Sequence, residues 1–220
     1  MKDLSLLDLE TVGQIEVESA GTSFKQLGIL VLDGSGSMVN EENLDKIPKG
    51  KAVSQAVRGL FNRLKDSRVA DSFCFSVIYY DEKAKLIMDI TDVKDINCGQ
   101  DFNPTKGMGG LTYIYTGLEE AKKVADRFFA APNPQEVPRT AVIVILSDGV
   151  DMKQEEAKRV LAKLKKDSRI RVATCFFETL GAMKAAMKEC QQYMEGLASS
   201  PTLYQSVATT EGLRSSLPPA

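Results

Sequence analysis

Residues 27–37 read LGILVLDGSGS, and this stretch decides the fold of the chain. Its first six residues are uninterruptedly apolar, which is typical of a strand that is buried on both faces of a parallel sheet. Asp33 ends the apolar run, and the glycines and serines that follow favour a tight loop. The stretch therefore predicts a buried strand that carries one carboxylate and two hydroxyl groups at its carboxyl end.

Strands and helices alternate along the rest of the chain. The predicted strands cover residues 27–32, 72–80, 85–90, 140–146, 170–177 and 203–207. The predicted helices cover residues 49–65, 112–129, 153–165 and 182–197, with Asp151 as the cap of the third. One stripe of the last helix is expected to face the core, namely Met183, Met187, Cys190 and Met194. This alternation predicts a three-layer, doubly wound (Rossmann-like) α/β fold with a mostly parallel central sheet flanked by helices. Ligands of such sheets bind at the carboxyl ends of the strands.

One large domain accounts for most of the 220 residues. We expect that domain to cover residues 27–207, followed by a short helix and tail over residues 208–220. Residues 1–26 form an N-terminal extension, in which the alternation around Ile15 and Val17 indicates an added edge strand.

The charge balance excludes several classes of function. The chain has 28 lysines and arginines against 30 aspartates and glutamates, a net charge of −2. Nucleic acids and anionic membranes require clustered positive charge, so neither is an expected partner. The acidic N-terminus lacks the features of a signal peptide. We therefore expect a cytoplasmic protein.

The chain contains no histidine. Its absence excludes Ser-His-Asp and Cys-His catalysis and histidine-ligated zinc. The cysteines are widely separated and lack a CxxC pair, so reduced, mostly buried thiols are expected rather than disulfides. They are Cys74, Cys98, Cys175 and Cys190. A metal ion bound by this chain would therefore be held by oxygen atoms.

Three separate loops offer such oxygens. Asp33, Ser35 and Ser37 form a D-x-S-x-S motif, Thr112 follows a Gly-Gly turn, and Asp148 follows a strongly apolar strand. Mg²⁺ takes six oxygen ligands in near-octahedral geometry and retains water, so one loop alone is insufficient. The alternative is a simple Asx or Ser turn that caps the next helix. Because Thr112 and Asp148 add oxygens from two further loops, a metal site is the stronger prediction.

The same five residues resemble the metal-ion-dependent adhesion site of the von Willebrand factor A (VWA) family. The resemblance covers roughly residues 27–205. It implies that Ser35, Ser37 and Thr112 ligate Mg²⁺ or Mn²⁺ through their hydroxyl groups, Ca²⁺ being less expected. It further implies that Asp33 and Asp148 act directly or through water. The family commonly leaves one coordination position open for a Glu or Asp of a partner protein, so a protein-binding module, not an enzyme, is expected.

Within the family, the chain resembles bacterial intracellular members such as the TerY type of tellurite-resistance and stress systems. Those proteins are thought to be adaptors in complexes with enzymes. A monomer is the favoured oligomeric state. Residues 1–26 and the C-terminal helix depart from the usual core, so partner surfaces there are not implied.

Three other hypotheses compete with an adhesion site. A haloacid-dehalogenase-type phosphohydrolase needs a second aspartate where this chain has Ser35. A dinucleotide-binding loop needs a third glycine where Val39 lies. A structural scaffold whose metal site has no function is the third. Glu41 could support a second, calcium-binding site, but an exposed acidic loop is the favoured interpretation.

Overall fold

The computed structural model describes residues 24–41, 44–179 and 183–216, which form a six-stranded sheet and five α-helices. The strands are β1 Lys25–Asp33, β2 Phe73–Tyr80, β3 Ala84–Asp92, β4 Arg139–Ser147, β5 Ile170–Phe177 and β6 Tyr204–Val207. The helices are α1 Lys49–Lys65, α2 Ile114–Ala130, α3 Gln154–Leu164, α4 Lys184–Leu197 and α5 Thr210–Ser216. Short 3-10 turns occur at Gly36–Val39, Ala70–Ser72, Val93–Asp95 and Pro201–Leu203.

The sheet has the strand order β3-β2-β1-β4-β5-β6, and only β3 runs antiparallel to its neighbour. From β1 the chain crosses to β2 on one side, whereas from β4 it crosses to β5 on the other. The order therefore reverses between β1 and β4, where loops of opposite direction leave a crevice. The predicted doubly wound, mostly parallel fold is confirmed, and its switch point lies between the two strands that precede Asp33 and Asp148.

The core lies in two layers, one on each face of the sheet. Alternate side chains of β1 point to opposite faces, so Leu30 and Leu32 belong to one layer and Ile29 and Val31 to the other. Helices α1 and α5 cover the first layer, and α2, α3 and α4 cover the second. Because β1 is covered on both faces, its sequence is a continuous apolar run rather than an alternating one.

Several local predictions need correction. Helix α2 begins at Ile114, not at residue 112, so Thr112 lies in the preceding loop. Helix α3 begins at Gln154 with Lys153 as its N-cap, so Asp151 is not the cap; its carboxylate accepts hydrogen bonds from the Lys153 and Ile114 backbone N–H groups. Met183, expected to face the core, is 78% exposed because it precedes the first turn of α4.

Three other predictions concern the cysteines, the N-terminal extension and membrane-spanning helices. All four cysteines are thiols rather than members of disulfides, as expected, and Cys98 is the one that is not fully buried. The edge strand predicted around Ile15 and Val17 lies outside the described residues. No helix in the described part of the chain combines the length and hydropathy needed to cross a bilayer.

Candidate metal centre

The five predicted site residues lie in three loops at the carboxyl edge of the sheet. Asp33 is the last residue of β1, and the following turn carries Ser35 and Ser37. Asp148 directly follows β4, and Thr112 precedes α2. All except the partly exposed Ser37 are buried. The fold thus brings together the oxygens that the sequence placed 115 positions apart, from residue 33 to residue 148.

The spacing of these oxygens suits a small, hard cation. Ser37 Oγ lies 3.2 Å from Ser35 Oγ and donates a hydrogen bond of 2.6 Å to Asp148 Oδ1. Neighbouring ligands of an octahedral Mg²⁺, at roughly 2.0–2.1 Å from the metal, are about 2.9 Å apart. The two observed distances bracket that value. The hydroxyl and carboxylate oxygens of these loops therefore fit two adjoining edges of a magnesium coordination shell.

Thr112 lies on the same side of the crevice. A methyl group placed on Gly149 would be 3.8 Å from both Ser37 Oγ and Thr112 Oγ1. The two hydroxyl groups, which belong to separate loops, therefore both lie in van der Waals range of position 149.

Asp33 lies at the base of the site and is fully buried. Its Oδ1 accepts a 2.8 Å hydrogen bond from the Ser35 backbone N–H, and its Oδ2 accepts a 2.5 Å hydrogen bond from Ser147 Oγ. Burial, and then the negative charge of Asp148, raise the pKa of Asp33 from 3.8 to about 6. A cation bound beside Asp33 would offset both effects on its pKa, because it favours the charged carboxylate.

Backbone hydrogen bonds hold the three loops in register. The Gly36 N–H donates to Gly110 O at 3.1 Å, which joins the D-x-S-x-S turn to the Gly-Gly turn. The Met152 N–H donates to Thr112 O at 3.0 Å, which joins the Gly-Gly turn to the loop after β4. Asp81 Oδ2 accepts from the Gly109 and Gly110 N–H groups, both at 3.2 Å. These hydrogen bonds fix the positions of the three ligand loops relative to one another.

Two glycines are required by this arrangement. A Cβ atom on Gly34 would lie 2.5 Å from Pro104 O, so no other residue fits between the first loop and the segment before α2. Gly109 has a φ of 142°, which L-residues rarely adopt. The glycines of both motifs are thus explained by close approach and by backbone conformation.

Asp151 is a supporting residue whose place in the site sequence reasoning missed. Its Oδ1 accepts from the Ile114 N–H at 3.3 Å, and its Oδ2 accepts a 2.5 Å hydrogen bond from the Tyr193 hydroxyl of α4. Burial raises the pKa of this carboxyl group as well. Asp151 connects the loop after β4 to the start of α2, next to Thr112. Its spacing from Asp148, three residues, was the available signal.

Lys49 is the second residue that sequence reasoning missed. It is the first residue of α1 and is fully buried. Its Nζ lies 2.5 Å from Asp148 Oδ2 and 2.6 Å from Thr179 Oγ1. The metal centre therefore contains a protein cation beside its second carboxylate. A lysine in the first turn of a helix opposes the helix dipole, and that mismatch was the sole hint in the sequence.

The acidic residues near the site do not form a further cluster. Glu41 is exposed, in agreement with the favoured interpretation of an acidic loop. Among the described residues, no three His, Cys, Asp or Glu side chains gather as a carboxylate-rich metal site would require. A cation in this crevice therefore depends on hydroxyl ligands, as the loops provide.

Residues 29–215 match the von Willebrand factor type A domain family. Among solved structures, the pilus adhesin SpaC from Lactobacillus rhamnosus GG aligns with a TM-score of 0.66 at 16% identity, over 88% of this chain and 30% of that one. The PilB minor pilin from Streptococcus sanguinis aligns with a TM-score of 0.65 at 13% identity, over 91% of this chain and 61% of that one. At these identities the likeness concerns the fold alone.

A third structure is informative about the motif. It is proximal thread matrix protein 1 from the mussel byssus, described as having a zinc-occupied MIDAS motif. It aligns with a TM-score of 0.53 at 16% identity, over 86% of this chain and 43% of that one. The present chain thus spans less than two thirds of each of these proteins. No curated protein matches its sequence.

Proposed function

Because this chain belongs to the von Willebrand factor type A family, we propose that it is a divalent-metal-dependent protein-binding module. A Mg²⁺ or Mn²⁺ ion is held by Asp33, Ser35, Ser37, Thr112 and Asp148, and it captures an acidic side chain of a partner protein. The observation that supports the proposal most directly is the 2.6–3.2 Å spacing of Ser35 Oγ, Ser37 Oγ and Asp148 Oδ1. Ca²⁺ prefers more and longer oxygen contacts, so it is the less suitable ion.

The mixture of ligands explains why such an ion binds anions. Three of the five side chains are neutral hydroxyl groups, so the two aspartates only balance the charge of the dication and the ion stays electrophilic. The bound ion supplies a Lewis-acidic position that a carboxylate enters by replacing water. The chain's own residues fix the geometry, since Ser35 precedes a short 3-10 turn that contains Ser37, and Asp33 is anchored by two hydrogen bonds.

The surface around the crevice favours a protein over a small anion as the partner. Eight large apolar side chains are exposed among the described residues. Six of them lie in loops at the carboxyl edge of the sheet, where the metal ligands are, and two lie at the opposite edge. The six are Val39, Leu44, Leu111, Val150, Met152 and Met183. Exposed apolar side chains concentrated around one site are typical of protein interfaces.

The remaining details of the function are also proposals. A module of this kind needs no catalytic base, and Ser35 lies where a haloacid-dehalogenase-type phosphohydrolase requires an aspartate, which favours binding over catalysis. A cytoplasmic monomer in a bacterial stress-response complex of the TerY type stays a prediction from sequence resemblance.

Metal binding is tested by thermal unfolding with chelator and with Mg²⁺. A saturating ion at about 100 times its Kd stabilises a domain by about 2.7 kcal/mol, so we expect the Tm to rise by roughly 5–10 °C. Ser37→Ala removes one hydroxyl ligand and leaves the Lys49–Asp148 pair in place, so it should reduce the shift by at least half. Ser67→Ala, a matched change remote from the site, should keep it. An unchanged shift in Ser37→Ala would contradict the ligand assignment.

Carboxylate capture is tested by selecting binders from a random peptide library in Mg²⁺ and eluting them with chelator. We expect the eluted peptides to contain Asp or Glu, and Asn or Gln at that position to abolish binding. Peptides that lack a carboxylate, or that stay bound in chelator, would instead support a scaffold. Turnover of a phosphate ester with Mg²⁺ would support an enzyme.

A further inference from the structure

We propose that Lys49 is a built-in cation that shares Asp148 with the metal. It weakens the binding of the divalent ion and strengthens the binding of a carboxylate to the ion once it is held. The inference rests on the proposed function, because it concerns the same site. It goes beyond that function because it concerns a residue outside the ligand set. This residue controls how tightly the metal ion and the carboxylate bind.

The contacts of Lys49 divide the Asp148 carboxylate between two cations. Oδ2 lies 2.5 Å from Lys49 Nζ, and Oδ1 accepts the hydrogen bond from Ser37 Oγ at the metal position. Both side chains of the ion pair are fully buried. One oxygen therefore faces the predicted metal position and the other faces the ammonium group, whose charge is not screened by solvent.

Lys49 is held where it is by a second contact. Its Nζ is 2.6 Å from Thr179 Oγ1, and that hydroxyl group lies 3.5 Å from Asp148 O. The lysine cannot turn into solvent without leaving a buried charge on Asp148, since buried carboxylates require a partner. Its charge is therefore a fixed property of the site.

The sum of charges gives the direction of both effects. Two aspartates alone would neutralise a dication, whereas Asp33, Asp148 and Lys49 together carry one negative charge. The loaded site then carries one net positive charge. Electrostatic repulsion between Lys49 and the ion weakens metal binding, and the same positive charge attracts an incoming carboxylate. The two affinities must therefore change in opposite directions when Lys49 is neutralised.

A merely structural lysine predicts a different outcome. If Lys49 served only to neutralise Asp148 in the folded chain, its removal would lower stability and would loosen the site for every ligand. Opposite changes in the Mg²⁺ affinity and the carboxylate affinity distinguish the proposed role of Lys49 from a merely structural one. Both affinities are measured at equilibrium on the 220-residue chain, without reference to any activity.

The experiment compares Lys49→Met and Lys49→Gln with the wild type. Calorimetry gives the Mg²⁺ affinity, and the relaxation of water protons by bound Mn²⁺, titrated with acetate, gives the carboxylate affinity. We expect the Mg²⁺ Kd to fall at least tenfold and the acetate Kd to rise at least threefold. Lys49→Gln keeps a hydrogen-bond donor and should show both changes if Lys49→Met folds poorly. Lys153→Met removes an equal charge from an exposed lysine near the site and should change each Kd less than twofold.

Each result has one meaning. An Mg²⁺ Kd that is unchanged or raised in both Lys49 variants overturns the inference, and so does an acetate Kd that is unchanged or lowered. If the wild type binds no Mg²⁺ but a Lys49 variant does, the inference holds while the proposed function of the native chain fails. If neither binds Mg²⁺, both are overturned. If the wild type binds and the variants behave like Lys153→Met, the inference alone fails.

Discussion

Asp33 shows at the level of one residue how the site responds to protons. Its pKa in the folded protein is about 6, above the usual 3.8, because the carboxyl group is buried and faces the charge of Asp148. Between these two values the folded state binds more protons than the unfolded state, so this group makes the metal-free protein less stable as the pH rises. A bound dication removes this penalty by favouring the charged carboxylate.

We therefore expect Asp33→Asn to change the pH dependence of stability. In chelator, the wild type should lose up to about 3 kcal/mol relative to the variant as the pH rises from 4 to 7, since one pKa unit corresponds to about 1.4 kcal/mol. Urea unfolding at several pH values measures this difference. Shifts of other carboxyl groups occur in both proteins and cancel. Parallel curves for the two proteins would contradict the raised pKa.

The same carboxyl group predicts how metal binding depends on pH. A proton on Asp33 competes with the ion, so the Mg²⁺ affinity of the wild type should be constant above about pH 6.5 and fall toward tenfold per pH unit below about pH 5.5. Calorimetric titrations at pH 5 and pH 7.5 measure the change. A stronger Mg²⁺ affinity at pH 5 would show that Asp33 does not face the ion.

Single residues differ in how far the sequence reveals them. A short motif suffices for Asp33, Ser35 and Ser37, which are close in the chain. The glycines between them allow a tight loop in which their side chains lie near one another. Lys49 and Asp148 are 99 residues apart, and their contact depends on how α1 begins beside β4. No spacing in the sequence encodes that contact, and a lysine at a helix start looks like an ordinary surface residue.

At the scale of elements, the turn between β2 and β3 supports the metal loop without supplying a ligand. Asp81 Oδ2 accepts both the Gly109 and Gly110 N–H groups, and the Gly110 carbonyl accepts from Gly36. Asp81 thus connects the hairpin directly to the Gly-Gly loop, and the Gly110 backbone connects that loop to the D-x-S-x-S turn. Its hydrogen bonds order a glycine-rich segment whose conformational freedom would otherwise oppose metal binding.

Asp81→Ala should weaken metal binding although Asp81 does not touch the metal position. Each lost hydrogen bond costs about 0.5–1.5 kcal/mol, so we expect the Mg²⁺ Kd to rise roughly fivefold to a hundredfold if the loss falls wholly on the bound state. Asp89→Ala removes an exposed acid of the same hairpin that pairs with Arg127, and it should leave the Kd unchanged. Calorimetry compares both variants. Equal effects of the two changes would show that net charge, not loop order, controls affinity.

The elements themselves were largely predictable, and the errors have physical causes. Continuous apolar runs identified β1, β4 and β5 because both faces of a central parallel strand are covered. The start of α2 was placed two residues early, because Asp151, 37 positions further along the chain, binds the Ile114 N–H. Met183 was assigned to a buried stripe because helical spacing alone does not show where α4 begins.

At the scale of the whole molecule, exposed apolar side chains are distributed unevenly. Leu111 and Met152 flank Thr112, one of the proposed metal ligands, and each is at least half exposed. Val69 is similarly exposed, but it precedes β2 at the opposite edge of the sheet. If the carboxyl edge is the partner surface, loss of exposed apolar area there must weaken partner binding, whereas loss at the opposite edge must not.

We therefore expect Leu111→Ser and Met152→Ser together to weaken a carboxylate peptide selected in Mg²⁺ by tenfold or more, because two large apolar contacts are lost. Their Mg²⁺ affinity should stay within twofold of the wild type, since neither side chain supplies a metal ligand. Val69→Ser should change neither value. Fluorescence anisotropy gives the peptide Kd and calorimetry the Mg²⁺ Kd. A peptide Kd that follows only the Mg²⁺ Kd would mean that the ion is the entire binding surface and that the apolar rim contributes nothing to recognition.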